Sequence, residues 1–199
     1  MPILTNIFYI ISVSLMIPVM LALLFGLVYT LYLSGITVHE FIARMKSKSQ
    51  RKKFAEALEN KDATVSVFDG SGNFEKTLNL ILTRSDDSLL INKKIADLES
   101  AWRTELQKIA DLTKYGPAIG LMGTLIPLGP ALVGLAEGDL VTLSNQMVIA
   151  FSTTAVGVLI SLIALAINSA KKGWYRDDSI LLNFAAERLS ATQTSKETA

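Results

Sequence analysis

Three uncharged, strongly apolar runs decide what this chain can fold into: residues 7–33, 116–136 and 147–170. Roughly 20 predominantly apolar residues suffice to cross a bilayer, and each run reaches that length. Half of all residues are hydrophobic and the mean hydropathy is +0.40, so the runs are not an accident of one buried core. The expected fold class is an all-α membrane protein with three transmembrane helices. The first occupies residues 1–38, the second 115–136 and the third 147–170, with a short outer hairpin at 137–146. Long cytoplasmic helical extensions are expected at 39–114 and 171–199. The first run is long enough to tilt or to project beyond the bilayer. Pro18 in its middle is tolerable because neighbouring helices can satisfy the backbone it frees.

Charge placement sets the orientation. No Asp, Glu, Lys or Arg precedes Glu40, and the two later runs contain none. Arg44, Lys46, Lys48, Arg51, Lys52 and Lys53 follow the first run, Lys171, Lys172 and Arg176 follow the third, and the hairpin carries only Glu137 and Asp139. With the N-terminus outside and the C-terminus cytoplasmic, every Lys and Arg lies inside, as the positive-inside rule requires. A cleaved signal peptide would need a basic N-terminal region and a shorter apolar run. The basic cluster at 46–53 reads as a topology signal in reach of anionic headgroups, not as a nucleic-acid site. The absence of cysteine excludes disulfide frameworks and thiolate metal sites.

Between the first two runs the pattern is helical. Ile91, Ile95, Leu98, Trp102, Leu106 and Ile109 recur at steps of three and four with charges opposite. That helix is expected to start near Ser85, Asp86 and Asp87 and to enter the second run with a small break at Gly116 and Pro117. An earlier helix over 39–60 extends the first run, and Asp69, Gly70, Ser71, Gly72 and Asn73 read as a turn. After the third run, Ile180, Leu181, Phe184 and Leu189 suggest a further amphipathic helix, with the tail from Ser190 frayed.

The second and third runs carry stripes of small or weakly polar residues at helical spacing: Gly116, Gly120, Gly123 or Thr124, Pro127, Ala131 and Gly134 on one, and Ala150, Thr154, Gly157, Ser161, Ala164 and Asn168 on the other. A helix that only anchors a chain in lipid has no use for such a stripe, whereas close helix partners or a pore do. Thr124, Thr153, Thr154 and Ser161 supply hydroxyls, Gly120 and Gly157 allow close approach, and Gly116, Gly123, Pro127 and Pro130 fit packing and kink positions. Alternatively, the hydroxyls bond their own carbonyls one turn back and only permit packing. Enzymatic parts are missing: the one histidine, His39, has no partner for nucleophilic or metal chemistry, no carboxylate pair lies in the spans, and Gly70 to Gly72 is no phosphate loop. No catalytic residue, metal or cofactor is expected.

The segment Lys114-Tyr115-Gly116-Pro117-Ala118-Ile119-Gly120-Leu121-Met122-Gly123-Thr124-Leu125, followed by Phe151-Ser152-Thr153-Thr154-Ala155-Val156-Gly157-Val158, resembles the signature spans of the MotA/TolQ/ExbB proton-channel family. The three-span layout and large insertion are similar to its ExbB/TolQ branch. The resemblance implies a homopentamer whose interior is lined by Thr124 and Thr154. It also implies a small single-span partner of the ExbD/TolR/MotB kind, whose membrane aspartate carries the proton or sodium ion. Such a complex, in the cell's inner membrane, couples ion flow to mechanical work or energised transport. Two positions depart from the branch: Ile149 stands where a glutamate is frequent, and Pro127 and Pro130 stand where proline is unusual. The competing reading is a non-conducting oligomeric membrane scaffold with a cytoplasmic partner-binding domain.

Overall fold

The computed structural model describes the backbone of residues 2–59, 73–83 and 88–197, with side chains placed at 7, 9–46, 74–81 and 89–188. Four helices follow one another: α1 (Pro2–Glu59), α2 (Asn73–Thr83), α3 (Ser88–Glu137) and α4 (Leu140–Glu197). The described chain contains no other regular element, and three stretches, Tyr9–Lys46, Leu89–Glu137 and Leu140–Arg188, are long and apolar enough to cross a membrane. The expected break at Gly116 does not occur. α3 runs through Pro117, Pro127 and Pro130, because proline's fixed φ is helical and each ring removes only one hydrogen bond. The expected fraying from Ser190 is also absent: α4 stays helical to Glu197. The turn at 69–72 and the helix start at 85–87 lie outside the described residues, as do the side chains of 48–53 and of Leu189.

α3 and α4 are joined by two residues, each with a separate task. Gly138 takes φ +78°, a left-handed conformation that costs glycine nothing. Its N–H donates to Leu135 O, and Asp139 N–H donates to Gly134 O at 2.8 Å, which closes the last turn of α3. Asp139 then caps α4: its Oδ1 accepts from the Val141 and Thr142 N–H groups at 3.1 Å, and its Oδ2 accepts from the Thr142 hydroxyl. The Thr142 hydroxyl and these backbone donors hold the Asp139 carboxyl below the usual carboxylate range.

The contacts divide the chain into two units, Met1–Thr37 with Lys108–Asn168, and Val38–Gln107 with Ser169–Ala199. In the first, α4 buries Ala150, Thr153, Gly157, Ile160, Ala164 and Ile167. Steps alternating between three and four are the seam of shallow, left-handed helix packing. Val19 and Leu23 of α1 pack on Ile160, and Leu33 packs beside Ile109, Ala164 and Ile167. The second unit has its own core, in which Phe74, Leu78 and Ile81 of α2 meet Ile91, Ile95 and Leu98 of α3 and Leu182 and Ala185 of α4. Of the apolar face expected after the third span, Leu181 packs against this core, but the face is centred elsewhere. Leu182 and Ala185 are buried, while Ile180 is 62% and Phe184 37% exposed.

Candidate ion pathway

The glycines of the two stripes face each other inside one chain. A Cβ on Gly157 would stand 2.6 Å from Gly116 O and 2.8 Å from Gly120 Cα, so the backbones of α3 and α4 touch where Gly116, Gly120 and Gly157 meet. One turn further, the flat side of Gly123 receives Thr153, whose Cβ would lie 2.6 Å from an added methyl. Thr153 is buried there, and its hydroxyl donates back to Ile149 O and Ala150 O. All six stripe positions of α3, with Gly123 rather than Thr124 as the third, are buried, Pro127 completely. With no hydrophobic drive between helices in lipid, association depends on such close packing.

The hydroxyls divide into two kinds. Ser161 Oγ donates to Thr113 O across the helix pair at 2.8 Å. Thr113 O is the carbonyl that would have bonded the N–H of residue 117, and residue 117 is proline. The serine thus satisfies the acceptor the proline orphans, which an apolar medium would otherwise penalise. Thr124 and Thr154 do something else. Thr154 Oγ1 reaches Gly120 O at 3.4 Å, and Thr124 follows Gly120 by one helical turn, which brings both threonines to one edge of the α3–α4 pair. Thr124 donates to Leu121 O at 2.7 Å, and neither side chain is buried. Ser152, on the exposed side of α4, donates to Val148 O. A hydroxyl spends one donor on such a bond and keeps two lone pairs for another group.

The family model of the MotA/TolQ/ExbB proton channel family matches residues 73–180, more than half of the chain. The chain belongs to that family. No curated protein matches it. The matched residues contain α2, all of α3 and the greater part of α4, and hence both stripes, the Gly138 turn and the threonine edge. This is a family of membrane channels, and three apolar helices make this member a multi-pass membrane protein with an ion-linked role.

The channel-family member holds a second polar site that charge counting along the sequence treats only as topology. In the second unit Lys171 Nζ lies 2.5 Å from Glu105 Oε1 and 3.2 Å from Glu40 Oε2, and Tyr175 donates to Glu105 Oε2 at 2.8 Å while stacking on Trp102. Arg44 Nη2 bonds Asp178 Oδ2 at 2.7 Å and its Nε bonds Glu40, and the guanidinium also lies over the Trp174 ring. Asp178 and Lys171 are buried. Ser179 makes a short bond to Glu99. Three helices are thereby tied by charges whose partners are up to 134 residues apart. The signal was present: in α4, Lys171, Tyr175, Asp178 and Leu182 continue the buried seam.

Proposed function

We propose that this chain is the ring-forming subunit of an ion-driven stator of the ExbB/TolQ kind. Five copies surround a small single-span ExbD/TolR/MotB-like subunit in the inner membrane, with N-terminus outside and C-terminus cytoplasmic, residues 39–114 and 171–199 forming the cytoplasmic part. The observation that carries the reading is the shared edge of Thr124 and Thr154. The glycines beside it are used up in the α3–α4 contact, whereas these two hydroxyls keep unburied surface and acceptor capacity. A hydroxyl cannot store a proton near neutral pH, because it has no titration there. The partner's membrane carboxylate must be the carrier. Thr124 and Thr154 accept from it when it is protonated, and donate to it when it is ionised by turning their O–H groups away from Leu121 O and Gly120 O. One charge crossing 100 mV releases about 2.3 kcal/mol, enough to drive a step of the ring around its partner and deliver work or energised transport. No catalytic residue, metal or cofactor is required by this scheme.

The test is proton or sodium uptake into vesicles holding the chain with its single-span partner. Thr124→Val and Thr154→Val keep shape and remove the hydroxyl. Each is expected to lower flux roughly ten- to a hundred-fold with assembly intact, since a hydrogen bond to a charged group contributes about 1.5–3 kcal/mol. Undiminished flux in the double variant would return both threonines to packing. One observation favours the other reading, a non-conducting oligomeric scaffold: Gly116, Gly120, Gly123, Gly157 and Thr153 are all spent on contacts within the chain. Under that reading no partner-dependent flux is seen at all.

A further inference from the structure

Pro117 is not alone in freeing a carbonyl of α3. Pro127 and Pro130 remove the N–H groups that would have bonded Gly123 O and Ile126 O one turn earlier. Ser161 serves Thr113 O, but the hydroxyls of α4 at the level of these two prolines are committed elsewhere. Thr153 donates to Ile149 O and Ala150 O, Ser152 to Val148 O, and Thr142 to Asp139. Two carbonyls in the half of the span nearer the Gly138 turn are thus left without a hydroxyl donor.

The side chain opposite them is an amide whose oxygen is in the same state. A Cβ added at Gly123 would meet Thr153 and one added at Gly134 would meet Thr142, so the two helices keep antiparallel step over the eleven residues between these contacts on each. Seven residues after Gly123 on α3 is Pro130, and seven residues before Thr153 on α4 is Gln146. The two stand at one level on facing helices. Gln146 precedes Ala150 by one turn on the buried seam of Ala150, Thr153 and Gly157, and Pro130 adjoins the buried Pro127 and Ala131. Among the described residues, Gln146 Oε1 is the one buried side-chain oxygen or nitrogen without a hydrogen-bond partner. It lies seven residues, about 10 Å, along α4 from the Asp139 cap, where an apolar medium penalises an unmet polar atom.

Three acceptors at one level call for positive charge. The NH2 group of Gln146 points away from them, because the oxygen is the inward atom of the amide. One water has two hydrogens to give and would leave an oxygen unmet. A small cation meets all three, as the freed carbonyls of broken membrane helices do for sodium. Neither span carries Asp or Glu, so a divalent ion would give up its water against neutral oxygens alone. The close contacts at Gly123 and Gly134 on either side favour a small ion over a large one.

We infer that Gln146 Oε1, Gly123 O and Ile126 O form a site for a monovalent cation of sodium's size between α3 and α4. The site lies within one chain, apart from the edge of Thr124 and Thr154, and needs neither a ring nor a partner. Thermal unfolding of the full-length chain in detergent, in sodium chloride and in potassium chloride at equal ionic strength, tests it. Sodium is expected to raise the midpoint by a few degrees over potassium, since an ion that binds only the folded chain stabilises it. Gln146→Leu removes the amide oxygen and Pro130→Ala restores an N–H to Ile126 O, so each should erase most of the difference. Ser161→Ala, further along the helix pair, should lower the midpoint and keep the difference. Equal wild-type midpoints in the two salts would overturn the site, because water or the Gln146 NH2 group then answers the carbonyls. A sodium shift that survives both Gln146→Leu and Pro130→Ala, or one that Ser161→Ala abolishes as well, overturns it too. Partner-dependent flux without any sodium shift removes this site and leaves the stator reading in place.

Discussion

Ser161 and Pro117 illustrate how much one side chain can carry. Sequence spacing places Ser161 on a small-residue stripe, which is correct as to size but silent on purpose, since the carbonyl it serves lies 48 residues earlier. The proline rule points to a freed acceptor four residues before each proline, yet only the fold brings a donor to Thr113 O. Ser161→Ala should destabilise the chain by about 0.6–1.7 kcal/mol, the range seen for interhelical hydrogen bonds in membranes. Pro117→Ala restores an N–H to that carbonyl, so in its background Ser161→Ala should cost almost nothing. Reversible unfolding of the four proteins of this cycle in detergent measures the coupling. Equal costs in both backgrounds would mean that the serine hydroxyl is not the proline's complement.

Along the elements, the α3 stripe is legible as a row of small residues, and α4 lies against it, by backbone at Gly116 and Gly120 and by the Thr153 side chain at Gly123. On α4 the seam buried within the chain runs through Thr153, Ile160 and Ile167, one position beside Thr154, Ser161 and Asn168 of the small-residue stripe. Size alone cannot distinguish adjacent positions when α1 presses on α4 from a second side, as at Gly26, where an added Cβ would stand 3.3 Å from Ile160 Cδ1. α2 is not marked by the sequence although Phe74, Leu78 and Ile81 have helical spacing, because eleven residues give a short pattern. The α3–α4 contact predicts unequal effects of one methyl. Gly157→Ala puts a Cβ against Gly116 O and Gly120 Cα, backbone atoms that can yield only if the helices part. A loss of about 1–3 kcal/mol is expected, as for overpacked cores. At Gly35 nothing lies within 4 Å of the added atom, so Gly35→Ala should be neutral or stabilise by up to about 1 kcal/mol. Thermal unfolding of both variants decides it, and similar shifts would deny the close crossing.

At the scale of the whole molecule, hydropathy gives away the three membrane helices but conceals the polar contacts that hold the second unit together. Arg44 and Lys171 look like topology markers in a sequence, since a positive residue after an apolar run needs no partner to explain it. In the fold their carboxylate partners come from other helices, with Asp178 at 2% side-chain exposure and Arg44 at 19%. A charge this deep is tolerated only with its counter-charge, so removing one partner is worse than removing both. Arg44→Met deprives Asp178 of the guanidinium and should cost about 3–5 kcal/mol. Asp178→Leu alone should cost less, because Arg44 keeps its bond to Glu40 and its place over the Trp174 ring. The double variant Arg44→Met/Asp178→Leu should recover most of the loss, because apolar residues of like volume can replace a buried pair at little net cost. Chemical unfolding of the full-length chain in detergent gives the coupling energy. Additive losses would show that Arg44 acts through Trp174 and Glu40 alone, and that the bond to Asp178 adds nothing to stability.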